Sequence, residues 1–529
     1  MLAAMTEPAP LAERVAPLAL TYDPDLAADT VDGLDPALSG GEMGALLRGA
    51  AGAAPYLAQL VARQADWLAG AAGRPPEASL AGILDEMRAE IREAGDEAAA
   101  GRALRAAKSR AALLIALCDL GGAWDVTRVT AALSDFADAA VQAGVDWLIA
   151  RECRLGKLPG LTERLAATGG AYSVIAMGKL GARELNYSSD IDLICLFDQD
   201  QLDPDDWGEA KARYIRLTRA LVRMLTDQTE AGYVFRTDLR LRPAPSTTPV
   251  CMAMEAAERY YESLGRTWER AAHIKARPIA GDLEAGQAYL DRLTPFVWRR
   301  YLDFAAIEDT HGMLRKIRAK KGKFTPAGLP GHDLKLAPGG IREIEFFAQT
   351  RQLIMGGRDA SLRVPGTVAA LDALAGAGQI PAGTARTLAA DYAEHRRLEH
   401  RLQMIGDTQT QTIPKHEEGR ARAAALSGYG DRESWERNLA ERLQRVHATC
   451  EAFFTPGAAS GPETTPAEKA EAEADTLGFA NREALERILE RWRSGAIPAT
   501  RSARARALFA ELEPELLTRL GQSATPDEA

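Results

Sequence analysis

The chain has 529 residues, enough for roughly three or four domains of ordinary size, and its 46% hydrophobic content supports large packed cores. Its 64 basic and 74 acidic residues leave a formal charge of −10. That charge opposes the sequence-independent attraction to phosphate backbones on which most nucleic-acid binders rely, so no DNA or RNA partner is expected.

Cysteine usage and the chain's start narrow the setting. Cys118, Cys153, Cys195, Cys251 and Cys450 are odd in number and form no CxxC, so neither a disulfide framework nor a zinc site is expected. No apolar run approaches the ~18 residues of a membrane span. The opening MLAAMTEPAPLAERVAPLAL carries acid and proline where a signal peptide needs a basic head and an apolar middle. A cytoplasmic protein with no membrane partner is the expectation.

In chain order, residues 36 to about 160 read as successive amphipathic helices rich in Ala, Leu, Arg and Glu, as in SRAALLIALCDL. The pattern changes at YSVIAM, residues 172–177, a short β-branched run, and DIDLICLF at 190–197 repeats that character. Both predict interior strands. A helix is expected over EAKARYIRLTRALVRMLTD, then a third strand over YVFRTDLRLRP, residues 233–243. In that strand a period of two puts Phe235, Thr237, Leu239 and Leu241 on one face and Arg236, Asp238, Arg240 and Arg242 on the other.

Helices are expected from about 250 to 454. Leu388, Tyr392, His395, Leu398, Leu402 and Ile405 form one core stripe, and Trp435, Leu439, Leu443, Val446, Cys450 and Phe453 another. His395 lies on the apolar stripe and reads as a core histidine, and His400, five residues on, does not face it. TPGAASGPETTPAEKAEAEA, residues 455–474, reads as a linker; beyond it Asn481 is placed to cap a helix through Trp492, and a last helix is expected over about 503–520.

The chemistry concentrates around residue 190. In a strand Asp190 and Asp192 point to one face with Cα atoms about 7 Å apart, while Ile191 turns into the core. Asp238 closes the set if the strands are neighbours. Three converging carboxylates repel one another and shift toward protonation unless cations lie between them, and an oxygen-only set favours Mg²⁺, with Mn²⁺ the alternative. Upstream, Gly178 and Gly181 flank a turn whose backbone N–H groups can approach a phosphate, with Lys179 offering charge there and Ser189 preceding the acids. Arg240 and Arg242 are candidates to hold phosphate oxygens through guanidinium forks; a solvated strand face is the competing reading for them and for Arg236. Gly339 and Gly340, followed by Arg342, Glu343 and Glu345, form a second region expected to face a nucleotide or order a metal shell. Lys316, Lys320, Lys321 and Lys323 form a basic patch that a solvated helix end explains best.

The order of strand, glycine turn, short helix, strand with an acid-apolar-acid triplet, helix and strand with a third Asp resembles the nucleotidyltransferase superfamily. Eleven residues separate Gly178 from Asp190, within that superfamily's usual spread, and Lys179 stands where it usually has Ser or Gly. A narrower resemblance covers most of the chain. MGKLGARELNYSSDIDLI, VFRTDLRLRP, GRTWERAAHIKARPIAGD, KLAPGGIREIEFFAQ and RRLEHRLQ are similar to the bifunctional glutamine synthetase adenylyltransferase/adenylyl-removing enzymes of bacterial nitrogen control. That family joins two nucleotidyltransferase halves, the first removing AMP from a tyrosine of glutamine synthetase by phosphorolysis and the second adding it from ATP. RELNYSSDIDLI and GGIREIEF resemble the first half, and the region beyond 475 resembles the inter-half regulatory segment. No second DxD constellation appears after residue 475, so the adenylylating half is expected to be absent from this chain.

The resemblance implies an α+β fold class: a small mixed sheet of nucleotidyltransferase type with helices, embedded between large all-α regions. The implied organisation is an N-terminal helical region at 1–160, the catalytic core at 161–280, a helical bundle at 281–454, the linker, and a regulatory segment at 475–529. Asp190, Asp192 and Asp238 are the implied catalytic and metal-binding residues. Gly178, Lys179, Gly181, Ser189, Arg240, Arg242 and Arg342 are the implied nucleotide and phosphate contacts. Implied substrates are ADP or ATP and orthophosphate; implied partners are adenylylated glutamine synthetase and a PII-type signal protein. Adenylyl transfer from ATP to a protein tyrosine, and a non-catalytic regulatory or scaffold fragment, remain the alternatives.

Overall fold

Acidic caps start the two long N-terminal helices that carry the sheet. Helix α1 (Glu97–Leu120) begins where the Asp96 carboxylate accepts from the Ala99 N–H at 2.7 Å. Helix α2 (Val126–Leu155) begins where Asp125 does the same for Arg128, and ends at Gly156, which adopts φ 58°. Such caps satisfy N–H groups that have no partner inside the helix, and glycine takes the left-handed closing turn without strain. In this computed structural model the described residues are 9–300, 329–454 and 482–494, with positions 496, 497, 500, 506, 509 and 513.

The sheet follows. Strand β1 (Tyr172–Ala176) leads through the one-turn helix α3 (Gly178–Gly181) to β2 (Asp190–Phe197). Helix α4 (Trp207–Thr226) returns the chain to β3 (Arg236–Asp238), after which come β4 (Cys251–Ala253), helix α5 (Thr267–His273) and β5 (Arg277–Gly281). The strands form a five-stranded sheet in the order β3-β2-β1-β5, with β4 pairing β2 beyond β3. Pairs β1–β2 and β1–β5 are antiparallel, and β2–β3 and β2–β4 parallel, so the sheet is mixed and the fold is α+β.

Side chains alternate across β2. Ile191, Leu193, Cys195 and Phe197 enter the large core built with the N-terminal helices, while Ile194 and Leu196 enter a second core with Met252, Tyr261 and Tyr289. Tyr214 of α4 stacks on Phe197 with ring centroids 4.9 Å apart and donates to the Gly170 carbonyl at 2.7 Å. Period-two alternation therefore leaves Asp190 and Asp192 on the face of the second core, at the end where it opens.

Three expectations need correction. The third strand covers three residues, not 233–243: the Asp238 side chain accepts from the Arg240 N–H at 2.7 Å and bends the chain off the sheet edge. Leu239 then packs on the large core and Leu241 on the second, so they share no face. Strands β4 and β5 lie where helices were expected from about 250; β5 contains Pro278 and Gly281, residue types rare inside strands, but it pairs only β1 and Pro278 adjoins a register shift, positions that tolerate proline.

Beyond the sheet, helices α6 (Ile341–Met355), α7 (Ala382–Met404) and α8 (Arg432–Phe454) surround a third core. Both expected stripes are buried there, from Leu388 to Leu402 and from Trp435 to Cys450, with Ile405 partly buried. His395 is buried and its Nε2 faces the Gly339 carbonyl at 3.0 Å; burial holds its pKa well below the ordinary value. Residues 1–454 form one compact unit and 455–529 a second; the large core runs unbroken across residue 160. In the second unit helix α9 (Arg482–Arg493) stacks Trp492 on Phe509, while its expected cap Asn481, the expected linker, most of the 503–520 helix and the Lys316–Lys323 patch lie outside the described residues. All five cysteines are free thiols. No helix among the described residues is long and apolar enough to cross a membrane.

One buried ion cluster ties α1 to α7. Asp119 sits 2.7 Å from the Arg401 guanidinium and 3.0 Å from Nδ1 of His400, all buried. Burial alone would raise the Asp119 carboxyl, but the Arg401 charge and the His400 contact outweigh it and hold it at about 2. Because the folded value is depressed, this contribution to stability is complete above about pH 4 and lost as pH falls through about 2. Asp119→Ala, which strands a buried guanidinium, is expected to cost about 3–5 kcal/mol in urea unfolding at pH 7, and the gap to wild type should narrow on acidification.

Candidate active site

Parallel pairing fixes the acids. Asp192 of β2 lies directly opposite Asp238 of β3, and Asp190 opposite Arg236, so Asp192 and Asp238 are one strand spacing, about 4.8 Å, apart along the ladder. The three acids line a cleft of about 750 Å³ together with Gly178, Lys179, Ser189, Arg240, Arg342 and Glu345. Gly178 closes one side. Its φ is +56°, and a Cβ there would meet Oδ2 of Asp192 at 2.6 Å, so only glycine lets the α3 backbone approach this carboxylate.

Electrostatics separate the acids. Burial, then the neighbouring carboxylates of Asp190 and Asp238, push the Asp192 carboxyl up to about 6. The Arg240 hydrogen bond instead holds Asp238 below the usual range, with Arg240 Nε 2.8 Å from Oδ2. Asp190 and Asp192 have no ion-pair partner among the described residues, whereas Asp238 is taken up by Arg240. Accordingly, no three His, Cys, Asp or Glu side chains among the described residues already form a metal-holding group.

Other expected contacts have different employment. Lys179 is mostly covered and its Nζ donates to Oε1 of the buried Glu399 at 2.8 Å; desolvation lowers it to about 8 despite that partner. Gly181 does not line the cleft: a Cβ there would lie 1.8 Å from the Lys275 carbonyl oxygen, so it is a packing glycine. Arg242 is likewise outside the lining, its guanidinium donating to the carbonyls of Leu239, Pro245, Thr248 and Pro249 and so stapling the turn after β3. Gly339 and Gly340 are glycines because a Cβ would strike the carbonyls of Leu443 and Leu334, at 2.1 and 2.4 Å. Glu343 points away from the cleft, accepting from the Gly339 N–H at 3.0 Å and facing His447 at 3.2 Å. Arg342 and Glu345, one helical turn apart, remain in the cleft and pair at 3.4 Å.

Sequence reasoning missed a second set of charges. Lys275, just after α5, reaches Glu184 at 3.0 Å and Glu345 at 3.3 Å. Burial opposes its charge, but the two acids prevail and raise its pKa; Glu345 is correspondingly held well below its ordinary value, chiefly by Lys275. Glu399 of α7, which receives Lys179, is also 3.5 Å from Arg396, itself bonded to Asn186 and the Tyr392 hydroxyl. One signal was available: Arg396, Glu399 and Gln403 recur at helical spacing, a polar stripe beside the apolar one, and all three are buried. Lys335, Trp268, Gln349, Gln409 and Gln411 also line the cleft, with no comparable signal.

With this geometry in view, comparison with known proteins is informative. Residues 44–292 match the family described as glutamate-ammonia ligase adenylyltransferase, and residues 311–454 match the GlnD PII-uridylyltransferase description. Residues 44–292 belong to the glutamate-ammonia ligase adenylyltransferase family. Curated relatives named bifunctional glutamine synthetase adenylyltransferase/adenylyl-removing enzyme include that of Bradyrhizobium diazoefficiens, 44% identical over 495 residues, covering 92% of this chain and 49% of the relative. Those of Xanthobacter autotrophicus (43%, covering 92% and 50%) and Caulobacter vibrioides (41%, covering 98% and 54%) are similar. The chain spans about half the length of the curated relatives it matches.

Gly178→Ala tests the close approach. It combines a left-handed backbone, costing about 1–3 kcal/mol for a side-chain-bearing residue, with a clash on Asp192. The expected outcome is a lowered urea midpoint together with weakened Mg²⁺ binding by calorimetry; unaltered Mg²⁺ affinity would show that the Asp192 carboxylate is placed independently of this turn.

Proposed function

We propose that this chain removes AMP from an adenylyl-tyrosine of glutamine synthetase by phosphorolysis. The observation that carries the reading is that Asp192 pairs with Asp238 and both line one cleft with Asp190, within a stretch whose relatives are named for adding and removing adenylyl groups. Orthophosphate attacks the AMP phosphorus, a new P–O–P bond forms as the P–O bond to tyrosine breaks, and ADP and tyrosine result. The proton of the attacking hydrogen phosphate balances the phenolate, whose reference pKa of about 10 lets it leave without a strong general acid.

Asp190 and Asp192 fit a divalent ion: they are oxygen donors on one strand face, neither has an ionic partner among the described residues, and the raised Asp192 carboxyl reflects crowding that a cation relieves. Asp238 joins them by releasing Arg240. Bound Mg²⁺ or Mn²⁺ supplies positive charge at the transferred phosphoryl group, so that two anions can approach. Released from Asp238, Arg240 is free to meet a phosphate oxygen; its side chain is 82% exposed. Leu241, Trp268 and Phe346 give the cleft an apolar wall suited to a nucleobase. A PII-type protein as regulatory partner is supported by the similarity of residues 311–454 to a PII-modifying family.

Incubating the full chain with AMP-modified glutamine synthetase and Mg²⁺ should release ADP only when orthophosphate is present. Asp190→Asn combined with Asp192→Asn should abolish that release without lowering the melting temperature, since half-buried acids facing a cleft contribute little packing. Incorporation of label from ATP into unmodified glutamine synthetase, without phosphate-dependent ADP release, would contradict the reading in favour of transfer.

A further inference from the structure

A phosphorolytic site must hold two anions close together beside carboxylates that repel both. Their seats can be assigned from the cations lining the cleft, which among the described residues are Lys179, Arg240, Lys275, Lys335 and Arg342. Four of these face acids of the chain itself: Lys179 faces Glu399, Arg240 faces Asp238, Lys275 faces Glu184 and Glu345, and Arg342 faces Glu345. The Lys275 pairs are buried and the Lys179 pair nearly so, and such pairs do not readily exchange partners, because separating them leaves an uncompensated charge in a poorly solvated place. Arg240 is exposed and already stands with Asp238 at the adenylyl phosphate, and Arg342 is shared with Glu345. Lys335 differs. No acid among the described residues pairs with it, although it is only half-buried and could bend toward one.

The backbone around Lys335 is fixed from three directions. The Asp333 carboxylate accepts from the N–H of Lys335 at 3.0 Å and of Leu336 at 2.9 Å. The Leu334 N–H donates to the Gln411 carbonyl at 2.8 Å, and the Lys335 carbonyl accepts from the Arg342 N–H at 3.0 Å. The last bond joins the start of α6 to this turn, so Lys335 and Arg342 stand together on one side of the cleft. A cation on a pinned turn with no acid at ion-pair distance, only the more distant charges of Asp192, Glu345 and Glu399 around it, lowers the cost of bringing in an external anion, and a lysine ammonium meets phosphate as a point charge without needing a fixed fork.

We infer that Lys335, with Arg342 beside it, is the seat of the attacking orthophosphate, in the same cleft as the acids that serve the adenylyl phosphorus. The assignment rests on the phosphorolysis reading for the identity of the anion, and on the cation inventory alone for its position. It also separates two roles the sequence left merged: arginines after β3 were expected to hold phosphate, but Arg242 is spent on the turn, and Arg240 stands beside Asp238, where the phosphate it meets is that of the adenylyl group. Lys335 is therefore a binding residue for the nucleophile, and it moves no proton.

The test uses the full chain as wild type, Lys335→Gln, Lys335→Met and Lys335→Arg, each checked by thermal melting. In the ADP-release assay, loss of one charge-assisted contact should raise the KM for orthophosphate about tenfold to a hundredfold in the Gln and Met variants. Arginine should restore part of it, and the KM for adenylylated glutamine synthetase should stay within about twofold, because the nucleotide is held elsewhere in the cleft. An unchanged phosphate KM with ADP release intact would overturn the assignment and leave the phosphorolysis reading standing, as would a fall in kcat alone. Calorimetric titration with orthophosphate in the presence of Mg²⁺ and AMP is the independent arm. If wild type releases no ADP yet binds orthophosphate, and Lys335→Gln loses that binding, the reaction reading fails and the anion seat survives; equal phosphate affinity in both proteins, or none in either, overturns the seat.

Discussion

Parallel pairing of β2 with β3 sets Asp192 against Asp238 in a single register, and a slip of one residue would turn β2's acids into the large core and bring Ile191 to the cleft. That register is strongly specified. Ile191, Leu193, Cys195 and Phe197 must all enter the large core together, so the hydrophobic effect acting along the whole strand holds two carboxylates where they repel each other. The crowding appears in the Asp192 carboxyl, raised to about 6. A strand otherwise built for burial can begin with two acids because its far end anchors it on both faces.

Around those acids the chain arranges its cations so that few remain uncommitted. Lys275 is buried and Lys179 mostly covered, and they are paired with Glu399, Glu184 and Glu345, which come from three other segments. These pairs join the α3 turn, the lead into β5, α6 and α7, so the cleft's walls are connected by charge as well as by packing. Such pairs contribute modestly to net stability but penalise misplacement of any one wall, since each broken pair strands a buried ion. The cleft that results holds two acids, Asp190 and Asp192, and one lysine, Lys335, without an ion-pair partner among the described residues, a set suited to two anions bridged by cations.

What the sequence made legible follows from the range of the forces involved. Strand β2 was readable to the residue because alternation and apolar continuity are local, and the same alternation put Asp190 and Asp192 on one face. Strand β3 was overextended because its pattern continues through Arg242, while the turn that ends it depends on one Asp238 side chain capturing the Arg240 N–H. Strand β5 was hidden by Pro278 and Gly281, which its edge position tolerates. The missed charges are long-range: Lys179 and Glu399 are 220 residues apart and Lys275 and Glu345 are 70 apart. No local periodicity could pair them. Conversely, Gly181, Gly339 and Gly340 looked like phosphate-binding glycines yet answer to backbone crowding, a distinction that only a measured contact reveals.

The central claim is that the acids of β2 and β3 gather divalent cations. Mn²⁺ titration of the full chain in the presence of AMP, followed by electron paramagnetic resonance of free Mn²⁺, tests it most directly. The account predicts saturable depletion of the free signal by the wild-type protein and none by the Asp190→Asn/Asp192→Asn protein at the same concentration. Equal depletion by both would contradict it.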